Sequence, residues 1–234
     1  MTRIYELVIL CSTGALGQYR IPVGYSSPEK SHALQTFWER ADKTYAHIEY
    51  GGHLGSEAKL ILFWQQRWLN RFPSNVRTVA EYGIGAGLLG QVLLQNYSIV
   101  HYIGIDISLR QLRAASQRLQ SCCMHKYTLL HTEDQALGEK LLQPFHIDLF
   151  VSQAVIQHFP SDTYLQSFLA VLSRSNIRYL MLQTREGGKR GDDDVTRAQI
   201  TTRKFLVAHL PKYTIVSRSP RFVNGYVFYW FEHI

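Results

Sequence analysis

The sequence predicts an α/β protein: a doubly wound, mainly parallel seven-stranded sheet with a C-terminal antiparallel hairpin and a helical N-terminal extension. Three observations lead there. From Val76 onward, short apolar runs alternate with amphipathic helical stretches, the pattern of βαβ units and a parallel sheet. The first run ends in a glycine cluster, Gly83 to Gly87, immediately before a helical stretch. The last two runs, Tyr213–Ser217 and Tyr226–Phe231, are joined by a turn containing Pro220 and Asn224-Gly225, and so short a connection joins antiparallel strands.

Residues 1–30 are mixed and turn-rich, with no element that can be placed. From Ser31 to Tyr50 apolar side chains fall three or four apart (Leu34, Phe37, Trp38, Ala41, Tyr45, Ile48), which predicts a helix. After Gly51-Gly52 and Gly55, Ser56 can cap a second helix that ends before Pro73. Val76–Tyr82 reads as a buried strand, followed by a helix through Leu88, Leu89, Val92 and Leu93. Val100–Ile105, Tyr127–His131, Ile147–Ser152 and Tyr179–Thr184 read as strands. Leu109–Leu119, Asp162–Arg174 (capped by Ser161) and Thr202–Leu210 read as helices. The organisation expected is an extension with lid helices over 1–75 and a nucleoside-binding domain over 76–234.

Composition narrows the function classes. A hydrophobic fraction of 46% is ordinary for a globular protein, and no stretch approaches the roughly 18 uninterrupted apolar residues of a membrane span. Arg3 and Ile4–Leu10 look faintly like a signal peptide, but Glu6 interrupts them and no cleavage site follows, so the segment is read as part of the folded chain. Cys11, Cys122 and Cys123 form no disulfide framework or zinc pattern, and adjacent cysteines rarely bond to each other; a reducing cytoplasm is expected. A net charge of +7 would suit an anionic partner, yet the basic residues (Arg67, Arg71, Arg77, Arg110, Arg113, Arg118) are scattered at helical spacing, as on solvated faces.

The informative segment is Glu81-Tyr82-Gly83-Ile84-Gly85-Ala86-Gly87. Glycines after a strand let the chain turn sharply and approach a ligand closely, and the helix that follows aims free N–H groups at the same spot. The next strand delivers Asp106, whose carboxylate can accept from both hydroxyls of a ribose. Gly85-Ala86-Gly87-Leu88-Leu89-Gly90 also satisfies the dinucleotide fingerprint. Glu81 argues otherwise: an acid there answers a cationic amino-acid end and repels a pyrophosphate.

These residues resemble motif I (E/D-x-G-x-G-x-G) of the class I, Rossmann-like methyltransferases that use S-adenosylmethionine (SAM). Ile105-Asp106 is similar to their second motif. The resemblance implies a seven-stranded sheet, SAM as cofactor, Gly83, Gly85 and Gly87 against its methionine part, and Asp106 on the ribose. It also implies an acid after the third strand near the adenine, for which Glu133 and Asp134 are both candidates. Phe145 to Phe159 resembles the strand-four segment of small-molecule and lipid-type enzymes, and no N/D-P-P-Y/F tetrapeptide of base N-methylation occurs.

Methyl transfer needs alignment and water exclusion, and a hydroxyl acceptor also needs a base. His158, just past strand four, is the candidate base; packing near the helix after Pro160 is the plainer role. Ser152 and Gln153 can contact cofactor or substrate. Trp38 and Tyr45 suit a lid, although aromatic residues at this spacing also serve as core. Arg185 opens a charged glycine-rich stretch and could pair with an acidic acceptor. Asp192 to Asp194 lack the spacing of a calcium loop, so no metal is assigned. The expected function is O-methylation of a small-molecule acceptor. RNA or protein methylation, an NAD(P)-dependent oxidoreductase and a non-catalytic Rossmann-like subunit are the alternatives.

Overall fold

A computed structural model describes residues 36, 39, 56–124, 126–132, 142, 144–186, 201–221 and 225–234. The expectations for residues 1–30, Trp38, Tyr45, Glu133, Asp134 and Asp192 to Asp194 lie outside the described residues.

Seven strands form one sheet: β1 Thr78–Tyr82, β2 His101–Asp106, β3 Tyr127–His131, β4 Leu149–Ser152, β5 Tyr179–Arg185, β6 Tyr213–Arg218 and β7 Tyr226–His233. Their order is β3-β2-β1-β4-β5-β7-β6. The first five are parallel, and β7 runs antiparallel between β5 and β6. The side chains explain why β7 rather than β6 takes the inner place. Val227 to Phe231 are all buried, whereas β6 alternates between buried or half-buried and exposed positions, as an edge strand should.

Helices cover both faces: α1 Glu57–Arg67, α2 Leu88–Asn96, α3 Leu109–Gln120, α4 Asp162–Arg174 and α5 Arg203–His209. Side-chain oxygens of Ser56, Ser108, Ser161 and Thr202 cap α1, α3, α4 and α5 by accepting from backbone N–H groups three residues on. Helices α1, α2 and α3 bury Trp64, Leu89, Leu93 and Leu112, with Trp68 just past α1, against Val79, Tyr102, Val151 and Trp230. On the other face α4 and α5 bury Phe168, Leu169, Leu172 and Leu206 against Ala80, Ile103, Phe150 and Tyr229. Arg118 ties the first layer together, donating to Glu57 of α1 at 2.8 Å and to Gln91 of α2 at 3.0 Å. It is therefore a structural cation and not the free surface charge its spacing suggested.

One expectation is corrected. Cys122 and Cys123 are joined in a disulfide in the turn that ends α3, where the Cys123 N–H donates to the Leu119 carbonyl at 2.8 Å. Among the described residues no helix is long and apolar enough to cross a membrane.

Candidate cofactor and methyl-transfer site

Parallel sheets bind ligands at the carboxyl edge, where the strand order reverses. Here the reversal lies between β1 and β4, which are neighbours in the sheet with their connections leaving in opposite directions. The glycine cluster sits at that point. Past β1 the chain turns over the end of β2: the N–H groups of Gly83 and Ile84 both donate to the Ile105 carbonyl, at 2.7 and 3.2 Å. Gly83 has φ +79°, and a Cβ there would lie 2.1 Å from Val155 Cγ2. Two constraints thus converge on glycine, backbone conformation and the side chain that covers it. Gly87, with φ +76°, caps α2, and a Cβ on it would stand 2.9 Å from the Cβ of Ala115 in α3.

The loop is fastened to the acid at the end of β2. Asp106 accepts from Gly85 N–H through Oδ2 and from Ser108 N–H through Oδ1, each at 2.9 Å. Burial pushes its carboxyl up to about 6, against the hydrogen bonds from Ser108, Gly85 and Ile107, and the Glu39 carboxylate adds to the upward push. Glu81 lies on the face of β1 covered by α1 to α3. Burial, helped by the charge of Asp106, raises it to about 8, while the Tyr102 hydroxyl donates to its Oε2 at 2.5 Å and acts in the opposite direction. Two buried acids beside a close-approaching glycine turn, with no lysine or arginine among these contacts, suit an adenosine with a cationic tail. They do not suit a pyrophosphate.

Beyond β4, Ser152 and Gln153 are buried, and Ala154 adopts φ 63° where the chain bends away from the sheet. Ile156–His158 then form a short 3-10 turn absent from the sequence expectation, and His158 stands half-buried on it. Its Nε2 lies 3.4 Å from the Gln157 side-chain amide. Val155 belongs to the same bend, so the strand-four segment is packed directly on the glycine loop. Arg185 closes β5, half-buried, and its carbonyl accepts from Thr201 N–H at 2.8 Å. The structure thus brings Glu81, Gly83, Gly85, Gly87 and Asp106 into one cluster with Gln153 and His158 on the bend beside it. Arg185 stands further along the same sheet edge.

Sequence reasoning missed several residues. Glu39, in the N-terminal extension, accepts from Leu109 N–H at 2.7 Å and Arg110 N–H at 3.4 Å, capping α3 beside Asp106. Nothing in its local sequence signals that contact. Tyr102 was read only as a strand residue. Ser152 and Gln153, which the sequence did offer as contacts, each bury a polar atom with no hydrogen-bond partner among the described residues; the same holds at the far end of β5 for Gln183 and Thr184, which it did not offer. Alternation within buried strands hides those two.

Residues 80–175 match the family described as Methyltransferase domain. No curated protein matches the chain by sequence. Among solved structures, magnesium protoporphyrin IX methyltransferase from Synechocystis PCC 6803 with bound SAM is similar at a TM-score of 0.63 and 15% identity. That likeness covers 88% of this chain and 97% of that one. A SAM-dependent methyltransferase from Leishmania major gives a TM-score of 0.66 at 15% identity, covering 87% of this chain and 83% of that one. A small RNA methyltransferase gives 0.53 at 18% identity, covering 68% of this chain and 23% of that one. The matched stretch runs from inside β1 to the end of α4, glycine loop and Asp106 included: residues 80–175 match a methyltransferase domain, and the sheet around them has the fold of the SAM-dependent methyltransferases.

Proposed function

We propose that the protein transfers the methyl group of SAM to a hydroxyl of a small-molecule acceptor, with His158 taking the proton. The carrying observation is the position of His158: on the single 3-10 turn after β4, its N–H donating to the carbonyl of Val155, whose side chain packs against Gly83. A base on that turn would work at the carboxyl edge of the sheet, next to the segment that packs on the cofactor loop. Bound SAM supplies a methyl group activated by its sulfonium. The chain's part is alignment. Asp106 would hold the ribose hydroxyls, the backbone of Gly83 and Gly85 would line the methionine part, and Glu81 would face the ammonium. The His158 imidazole would take the proton of the acceptor hydroxyl as its oxygen displaced the sulfonium sulfur from the methyl group, the carbon–sulfur bonding pair staying on sulfur.

The unpartnered polar atoms of Ser152, Gln153, Gln183 and Thr184 support a polar acceptor that reaches the ends of β4 and β5. Arg185 at the same edge would select a carboxylate on it. Against a nucleic-acid surface, Arg77, Arg118, Arg178 and Arg218 each bond a neighbouring residue of the fold. The part of the N-terminal extension that precedes α1 would contribute the lid, with Trp38 and Tyr45 towards the cofactor, and Glu133 or Asp134 would stand at the adenine.

Calorimetry of SAM, S-adenosylhomocysteine and NADH against wild type and Asp106→Ala is the first test. The two adenosyl ligands should bind the wild type alone, and binding of NADH only would overturn the reading. Labelled SAM with hydroxylated acids, and in parallel with RNA, then identifies the acceptor. His158→Ala should lower kcat by about 10²–10⁴-fold while leaving SAM affinity unchanged. Unchanged turnover would remove the base from the mechanism.

A further inference from the structure

We propose that Tyr102 is a positioning residue for the cofactor site. Its hydroxyl fixes the Glu81 carboxylate so that the site selects adenosyl ligands with a cationic amino-acid end over those without one. The inference rests on the SAM reading above and adds a residue that neither motif contains.

Four observations carry it. Tyr102 and Val79 are register partners on the parallel strands β2 and β1, and Glu81 is the next residue on β1 that faces the same side. The tyrosine therefore reaches diagonally toward the carboxyl edge, and its hydroxyl meets Glu81 Oε2 at 2.5 Å. The ring cannot swing away: it has no solvent exposure, and a Cβ on Gly90 of α2 would stand 2.6 Å from its Cζ. A helix backbone thus lies directly on the phenol.

Among the described residues Tyr102 is the hydrogen-bond donor to Glu81, and Glu81 is 4% exposed, so water does little to orient it. A tyrosine serving only to fill space could be phenylalanine. Here the hydroxyl sits at the one point where it favours the ionised carboxylate against burial and against the nearby Asp106. An ammonium needs a carboxylate that is both charged and aimed, and Tyr102 contributes to both.

The test compares two probes by calorimetry. S-adenosylhomocysteine carries the ammonium; 5′-methylthioadenosine keeps the adenosine and thioether but lacks the amino-acid end. Tyr102→Phe should weaken S-adenosylhomocysteine by about tenfold near neutral pH and shift its pH profile upward, while 5′-methylthioadenosine changes less than about twofold. Glu81→Gln should show the same selectivity, and the double variant should bind no more weakly than Glu81→Gln alone.

Equal losses for both probes would mean that Tyr102 only supports the fold, and would overturn the proposal. So would wild-type affinity in Tyr102→Phe, or additive losses in the double variant. Failure of the wild type to bind either probe would instead remove the SAM reading, and this inference with it.

Discussion

Replacing Glu81 with glutamine should flatten the pH dependence of stability. Glutamine keeps an acceptor for the Tyr102 hydroxyl but cannot titrate. In the folded, ligand-free protein burial, and then the charge of Asp106, raise the Glu81 carboxyl from 4.5 to about 8, net of the opposing Tyr102 hydrogen bond. The folded state therefore keeps a proton that the unfolded chain releases. The resulting stability is fully present below the unfolded value and is lost as pH rises through the folded one, at up to about 1.4 kcal/mol per pH unit.

Between about pH 5.5 and about pH 7.5 the wild type should lose on the order of 2–3 kcal/mol more than Glu81→Gln. For a chain of this size that is roughly 5–10 °C in Tm. Asp106 titrates in both proteins and largely cancels in the difference. The assay is thermal unfolding followed by circular dichroism at several pH values, without ligand. Parallel Tm curves for the two proteins would refute the claim that Glu81 is buried and neutral.

Gly83→Ala places a methyl group 2.1 Å from Val155 in a backbone at φ +79°, so it should cost about 2–4 kcal/mol in urea unfolding and abolish cofactor binding by calorimetry. Trp68→Ala empties a fully buried site against Trp230 and should cost about 3–5 kcal/mol by the same unfolding measurement. Glu39→Ala removes the acceptor for the first N–H groups of α3, costing about 1 kcal/mol; it should also lower the Asp106 titration midpoint seen by NMR. Burial pushes Glu186 up, but hydrogen bonds from Tyr229 and Arg218 outweigh it and hold the carboxyl below its usual range. Its stabilisation is therefore present at neutral pH and lost in acid, and the stability gap between wild type and Glu186→Gln should close as pH falls.

The fold and the cofactor loop were legible because their determinants are local. Strand and helix periods, serine caps and the Gly83 to Gly87 turn are properties of short windows. Glu81 precedes that turn on the same strand, Asp106 ends the strand that follows the next helix, and the short connection between the last two strands marks them as an antiparallel hairpin.

What the tertiary structure decided depends on side chains meeting from distant elements. No window contains Val155 against Gly83, Tyr102 under Gly90 or Glu39 on the first turn of α3. Arg118, one of many scattered cations in the sequence, becomes a tie between helices only because α1 and α2 pack beside α3. The protonation of Glu81 is likewise set by burial and by a neighbour across the sheet. Chain order determined which groups reach the carboxyl edge, and packing determined which of them are charged, aimed and held there.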